Sequence, residues 1–103
     1  MEATPIAAEA ILAAARECLG TPFRHQGRLL GEALDCAGVA VHVARRIGCE
    51  VSDMTGYART PHGGLLEQAL DAQVCLTRVA IADRAPGDLL LMRFTGEPQH
   101  LAI

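Results

Sequence analysis

Leu34-Asp35-Cys36-Ala37-Gly38-Val39-Ala40-Val41 is the stretch whose reading decides the fold. Asp35 is a natural helix N-cap, because its carboxylate can accept from backbone N–H groups that have no partner in the first turn. From there Cys36, Val39, Ala40, Val43, Ala44 and Ile47 recur at i, i+3, i+4, i+7, i+8 and i+11, and Gly48 ends the run. That spacing predicts an amphipathic helix opening at Asp35-Cys36 and burying one stripe.

Working backwards, residues 20–34 carry Gly20, Pro22, Gly27 and Gly31 with polar Arg24, His25, Gln26 and Arg28 between them. They predict a loop, long for a small domain, and long loops tend to carry function. Before it, Ala7, Ile11, Ala14, Ala15 and Cys18 repeat at helical spacing behind Thr4-Pro5, predicting a first helix over 5–19. Working forwards, 49–63 is irregular and Leu65–Ala72 reads as a short helix. Residues 74–81 read as a strand, Ala85-Pro86-Gly87-Asp88 as a tight turn and Leu89–Phe94 as a buried strand. A further turn follows over Thr95–Gln99, and a last strand starts over His100–Ile103. Helices first and consecutive strands afterwards predict an α+β domain, helices packed on a small antiparallel sheet, over residues 1–103.

The bulk properties bound the function. The chain has 103 residues, half of them apolar, with a single Tyr, two Phe and no Trp. The core must therefore be aliphatic and rich in Ala. A net charge of −3, no Lys and scattered Arg residues give no footprint for nucleic acid. No apolar run reaches the length of a membrane span, and no basic segment leads into an apolar one as in a signal peptide. The chain is expected to be cytoplasmic as made.

The four cysteines, Cys18, Cys36, Cys49 and Cys75, show no C-x-x-C pair. Neither a metal site nor a disulfide framework is expected, and no cofactor is implied. Cys18, Cys49 and Cys75 read as reduced, buried thiols. Cys36 differs by position. It stands in the first turn of its helix, where unpaired N–H groups and the helix dipole favour a thiolate. Ala37 and Gly38 are small enough to let a carbonyl approach the sulfur and the backbone N–H groups, candidate oxyanion donors. An inert cysteine at the start of an amphipathic helix fits these facts equally well. His100 opens the final strand and shares a face with Ala102, from which a general base can reach the helix terminus. A solvated edge-strand histidine is the commoner reading of such a position. His42 reads as a helix-surface residue, His62 as solvated and His25 as a minor site candidate. Arg45-Arg46 complements the helix dipole.

Gly20-Thr-Pro-Phe-Arg-His-Gln-Gly-Arg28, Leu34-Asp-Cys-Ala-Gly-Val-Ala-Val41, Arg84-Ala-Pro-Gly-Asp-Leu-Leu-Leu-Met-Arg-Phe94 and Gln99-His-Leu-Ala-Ile103 resemble, in this order, the NlpC/P60 cysteine peptidases, above all the phage and prophage tail subgroup. The resemblance implies a papain-like fold and hydrolysis, through a thioester, of amide bonds in peptidoglycan stem peptides of the γ-D-glutamyl–diamino acid type. It implies Cys36 as nucleophile, His100 as base and Asp35 shaping the site. Phe23 and Arg24 would wall the substrate groove, with Ala37 beside the substrate. It also implies action at the cell wall, within a phage-like tail or after release, with tail proteins as partners.

Two differences from the family stand in the sequence. Phe23 occupies the place of a usual Tyr, and the polar third member of the family's triad belongs on a strand after His100. The chain is therefore expected to be a truncated domain with little turnover, its last strand an open edge through which two copies pair. Two further readings stay open: a thiol amidase or acyltransferase acting on another acyl group, and a non-catalytic tail or cell-wall-binding module on the same fold.

Overall fold

In the computed structural model, which describes residues 6–54, 56–59, 63–93, 96 and 98–103, the chain folds around the helix that Asp35 starts. This helix, α2 (Cys36–Arg46), packs against α1 (Ala8–Arg16), against a hairpin of β1 (Arg28–Leu29) and β2 (Ala33–Leu34), and against β4 (His100–Ala102). Gly38, Val41 and Val43 are all buried, so α2 is covered on more of its circumference than one stripe. α3 (Leu65–Asp71) and one turn of 3₁₀ helix (Ile81–Asp83) follow, then β3 (Leu90–Met92), which pairs antiparallel with β4. Among the described residues the result is a small α+β domain with three helices and two separate two-stranded antiparallel sheets.

The segment read as a loop over 20–34 is folded. β1 and β2 pair with Arg28 opposite Leu34 and Leu29 opposite Ala33. Leu34 also accepts from the Arg24 N–H at 3.1 Å and donates to the Pro22 carbonyl at 3.1 Å, so three lengths of chain are stitched together ahead of α2. Two glycines make this possible. The Gly27 carbonyl lies where a Cβ on Gly38 would stand, at 2.2 Å, and a Cβ on Gly27 would meet the Ala33 carbonyl carbon at 2.6 Å. Hairpin and helix touch through bare backbone.

Other sequence expectations need correction. α1 spans Ala8–Arg16 and continues as turns to Gly20, which takes the left-handed conformation; Thr4-Pro5 lies outside the described residues. Residues 74–81 form no strand. They run irregularly from a turn at Val74-Cys75 into the 3₁₀ turn, with Val74, Val79 and Ile81 exposed. Their β-branched pattern suits a pleated surface, but a strand needs an edge to pair with, and β3 and β4 pair only with each other among the described residues. The strand expected over Leu89–Phe94 is shorter and more open: Leu91 and Met92 are exposed, and Phe94 lies outside the described residues.

The tight turn at Ala85–Asp88 is present, closed by the Asp88 N–H to the Ala85 carbonyl at 3.1 Å. The Asp88 carboxylate accepts in return from the Ala85 N–H at 2.8 Å. The core is thin. Ala14, Leu34, Val41, Val43 and Leu101 are its buried apolar residues. The accessible surface of 7212 Å² exceeds the roughly 5600 Å² that surface scaling gives for a folded monomer of this mass. No helix among the described residues is long and apolar enough to cross a membrane.

Candidate functional site

The site is built outward from Asp35. Its backbone is extended, which sets it as the N-cap of α2. Oδ1 accepts from the Gly38 N–H at 2.7 Å and from Arg28 Nη1 at 2.8 Å. Oδ2 accepts from the Gln26 N–H at 2.8 Å and from the Tyr57 hydroxyl. Four donors therefore saturate a carboxylate that is only 4% exposed. Burial alone would push its pKa up; the bonds from Tyr57, Gly38 and Gln26, with the Arg28 charge, outweigh this and hold it below the usual carboxylate range.

Arg28 extends the network. Burial opposes its charge, but the Asp53 carboxylate, contacted by Nε at 2.9 Å, and Asp35 keep the guanidinium firmly protonated. It also sits over the Tyr57 ring, 5.6 Å from the centroid. Burial and the neighbouring Asp35 carboxylate push the Tyr57 phenol up to about 12, so it is a hydroxyl donor across the ordinary pH range. His25 meets the same ring edge-on at 5.2 Å, and its Nε2 lies 2.9 Å from the Tyr57 carbonyl and 3.3 Å from the Gln26 side-chain nitrogen. Gln26 holds a left-handed backbone conformation at φ +63°, and its side-chain oxygen accepts from the Gly56 N–H at 2.9 Å. Asp35, Arg28 and Gln26 thus tie the segment before α2 to the segment 53–57 after it.

That tie leaves an open groove of about 220 Å³ along one side of α2. Cys36, at the first position of the helix, and His100, at the first position of β4, both line it. Phe23, Ala37, His25 and Tyr57 line it as well, and Leu65 and Leu66 of α3 supply part of an apolar wall. His100 stands opposite Met92 in the β3–β4 register, and β4 lies against α2 with Leu101 buried beneath it. The Cys36 thiol is free and half-buried.

The residues singled out in the sequence fare differently. Asp35 lines the groove, but its oxygens are occupied by protein donors, so it acts by holding the site together. Phe23 forms the rim, 71% exposed. Arg24 is exposed and does not line the groove. The Gly38 N–H is committed to Asp35 and its open side is filled by the Gly27 carbonyl, which removes it as an oxyanion donor. The Val39 N–H bonds the Asp35 carbonyl at 3.0 Å, which leaves the Cys36 and Ala37 N–H groups as the donors of this turn outside the cap.

His42 is a bridge between helices, its Nε2 3.0 Å from the Glu17 carboxylate, which also takes Arg46 at 3.3 Å. His62 lies outside the described residues. Cys75 is exposed, against the expectation of a buried thiol. Gln26 and Arg28 were marked only as polar residues of the Gly20–Arg28 stretch, and Tyr57 and Asp53 had no signal beyond their place in an irregular segment. Among the described residues no cluster of side chains is suited to a metal ion.

Comparison with known proteins yields no family model, no curated protein and no solved structure that matches this chain.

Proposed function

We propose that the protein is a thiol hydrolase of amide bonds, with Cys36 as nucleophile and His100 as general base, acting on peptidoglycan stem peptides. The observation that carries this reading is the shared groove: a cysteine in the first turn of a capped helix and a histidine from the adjacent strand open onto one cleft. The sequence resemblance to NlpC/P60 peptidases, at Leu34–Val41 and Gln99–Ile103 above all, supports the substrate class.

The chemistry follows from those two side chains. The imidazole of His100 takes the Cys36 thiol proton, and the sulfur adds to the amide carbonyl carbon. The developing oxyanion falls to the Cys36 and Ala37 N–H groups at the positive end of α2. Collapse breaks the carbon–nitrogen bond, and the imidazolium returns its proton to the departing amine. Water, deprotonated by the same imidazole, then adds to the thioester and expels the thiolate, which recovers a proton. Asp35 touches no substrate in this scheme; it fixes the helix terminus on which the sulfur rides.

Purified stem peptides test this reading. Slow release of a new amino group is expected from the native chain and none from Cys36→Ala. Release that is equal in the two proteins overturns it. A second reading, a groove that binds cell-wall peptides without cleaving them, is favoured by the hydroxyl-free, exposed Phe23 at the rim. It requires peptide binding that Cys36→Ala leaves intact, with no turnover by either protein.

A further inference from the structure

Away from Cys36, the chain holds a second pair of thiols whose arrangement the proposed hydrolysis does not use. Cys49 follows the left-handed Gly48 that ends α2, and Cys75 lies in the turn after α3. The two thiols are near enough to influence each other's ionisation. The Cys75 thiol also lies 3.8 Å from the Glu50 carbonyl. Two residues before Cys75, Gln73 grips the opposite chain twice: its side-chain oxygen accepts from the Ser52 N–H at 2.9 Å and its amide donates to the Ser52 carbonyl at 2.9 Å. A third bond, from the same amide to the Ala69 carbonyl at 2.9 Å, anchors Gln73 to α3. These bonds hold segments 49–52 and 73–75 side by side, with Cys75 against the stretch that begins at Cys49.

We propose that Cys49 and Cys75 are an oxidative modification site that closes to an intramolecular disulfide. Cys75 already reaches the carbonyl of Glu50, the residue after Cys49, and it sits in an irregular, exposed segment that can supply the adjustment to the roughly 2.05 Å of a sulfur–sulfur bond. A small-molecule disulfide of the glutathione type is the oxidant. The exposed Cys75, as thiolate, attacks one sulfur of that disulfide and expels one small thiol, leaving a mixed disulfide. Cys49, as thiolate, attacks the Cys75 sulfur and expels the second small thiol. One external disulfide is reduced to two thiols while two protein thiols become one disulfide, so electrons and protons balance.

Order of attack follows exposure. Cys49 is half-buried, and burial together with the neighbouring Cys75 raises its pKa, so the accessible Cys75 captures the oxidant and Cys49 resolves it. The bond would fasten the segment leading to Asp53, the Arg28 partner, onto the end of α3. Both segments contribute to the groove wall, through Ser52, Asp53, Gln73 and Cys75.

The test uses the intact chain, incubated with excess oxidised glutathione near about pH 8, where ordinary thiols are partly ionised. After blocking of free thiols and trypsin digestion, peptide 47–59 should be joined to peptide 60–78, while the Cys18 and Cys36 peptides carry no link. The Cys36→Ala chain, which lacks the groove thiol that would itself take up glutathione, should lose two hydrogens in mass and gain several degrees in Tm, both reversed by dithiothreitol. Cys75→Ser should abolish the linked peptide, and Cys49→Ser should stop the reaction at Cys75 bearing glutathione. The inference is overturned if 47–59 and 60–78 stay separate in the native chain. It is equally overturned if Cys49 or Cys75 pairs with Cys18 or Cys36, or if the link joins two chains.

Discussion

At the residue scale the account turns on Asp35. A carboxylate holding four protein donors is both cap and crosslink, and its removal leaves Arg28, the Gly38 N–H and the Gln26 N–H short of an acceptor in a half-dry setting. Breaking a buried pair of this kind costs about 3–5 kcal/mol, against about 1 kcal/mol for an ordinary cap. Asp35→Ala should therefore lower the stability to urea by about 3 kcal/mol or more; a loss under about 1 kcal/mol would show that the network contributes only as a cap.

The same residue gives a pH dependence. Its pKa is depressed on folding, so the stabilisation is present above the unfolded carboxylate value, near about 3.9, and is lost as pH falls through the lower folded value. Acid titration of unfolding should show this loss below about pH 4 in the native chain, with a flatter slope in Asp35→Ala. Asp35 was legible in the sequence as a cap because capping is local. Its other partners come from residues 26, 28 and 57, and no periodicity or propensity signals which distant hydroxyl will reach a carboxylate.

At the scale of elements, the bounds of α2 were legible from an N-cap, an apolar stripe and a terminating glycine, but burial departs from the stripe: of its residues only Val43 is buried, and Gly38 and Val41 beside it are buried as well. What the stripe did not convey is the close approach at Gly38, where the hairpin backbone replaces a side chain. Gly38→Ala forces a Cβ onto the Gly27 carbonyl at 2.2 Å with backbone on both sides, so neither partner can swing away. The expected cost is at least about 2 kcal/mol, in the range of overpacking in cores. A thermal melt within a degree or two of the native chain would mean that hairpin and helix separate freely.

The strand expected over 74–81 shows the opposite failure. Val, Leu, Val and Ile at these positions satisfy the propensity for a strand, and pairing depends on a neighbour the sequence does not announce. With no ladder over 76–80, these amides should exchange with deuterium orders of magnitude faster than those of Val41 and Val43 in α2. Protection of 76–80 equal to that of α2 would require a pairing absent here.

For the whole molecule, the α+β class follows from element order, helices before the β3–β4 pair, and both the sequence and the structure agree on it. Among the described residues two separate two-stranded ribbons stand where one small antiparallel sheet was expected, and they flank one helix. The candidate site was partly legible. Cys36 was marked by its helix terminus, His100 by the alternation of a short strand, and both open onto the groove. The groove itself, walled by α3 and tied shut at one end by Arg28, Tyr57 and Asp53, is a product of long-range contacts and left no pattern to read.

The central claim is that Cys36 is a nucleophile served by His100, and its most direct measurement is the iodoacetamide alkylation rate of each cysteine, resolved by peptide mapping at about pH 7. Exposed Cys75 sets the internal standard for an ordinary, accessible thiol. The account predicts that half-buried Cys36 reacts about tenfold or more faster than glutathione and faster than Cys75, and that His100→Ala removes most of that advantage. A Cys36 rate at or below that of glutathione, or one that His100→Ala leaves unchanged, would contradict it.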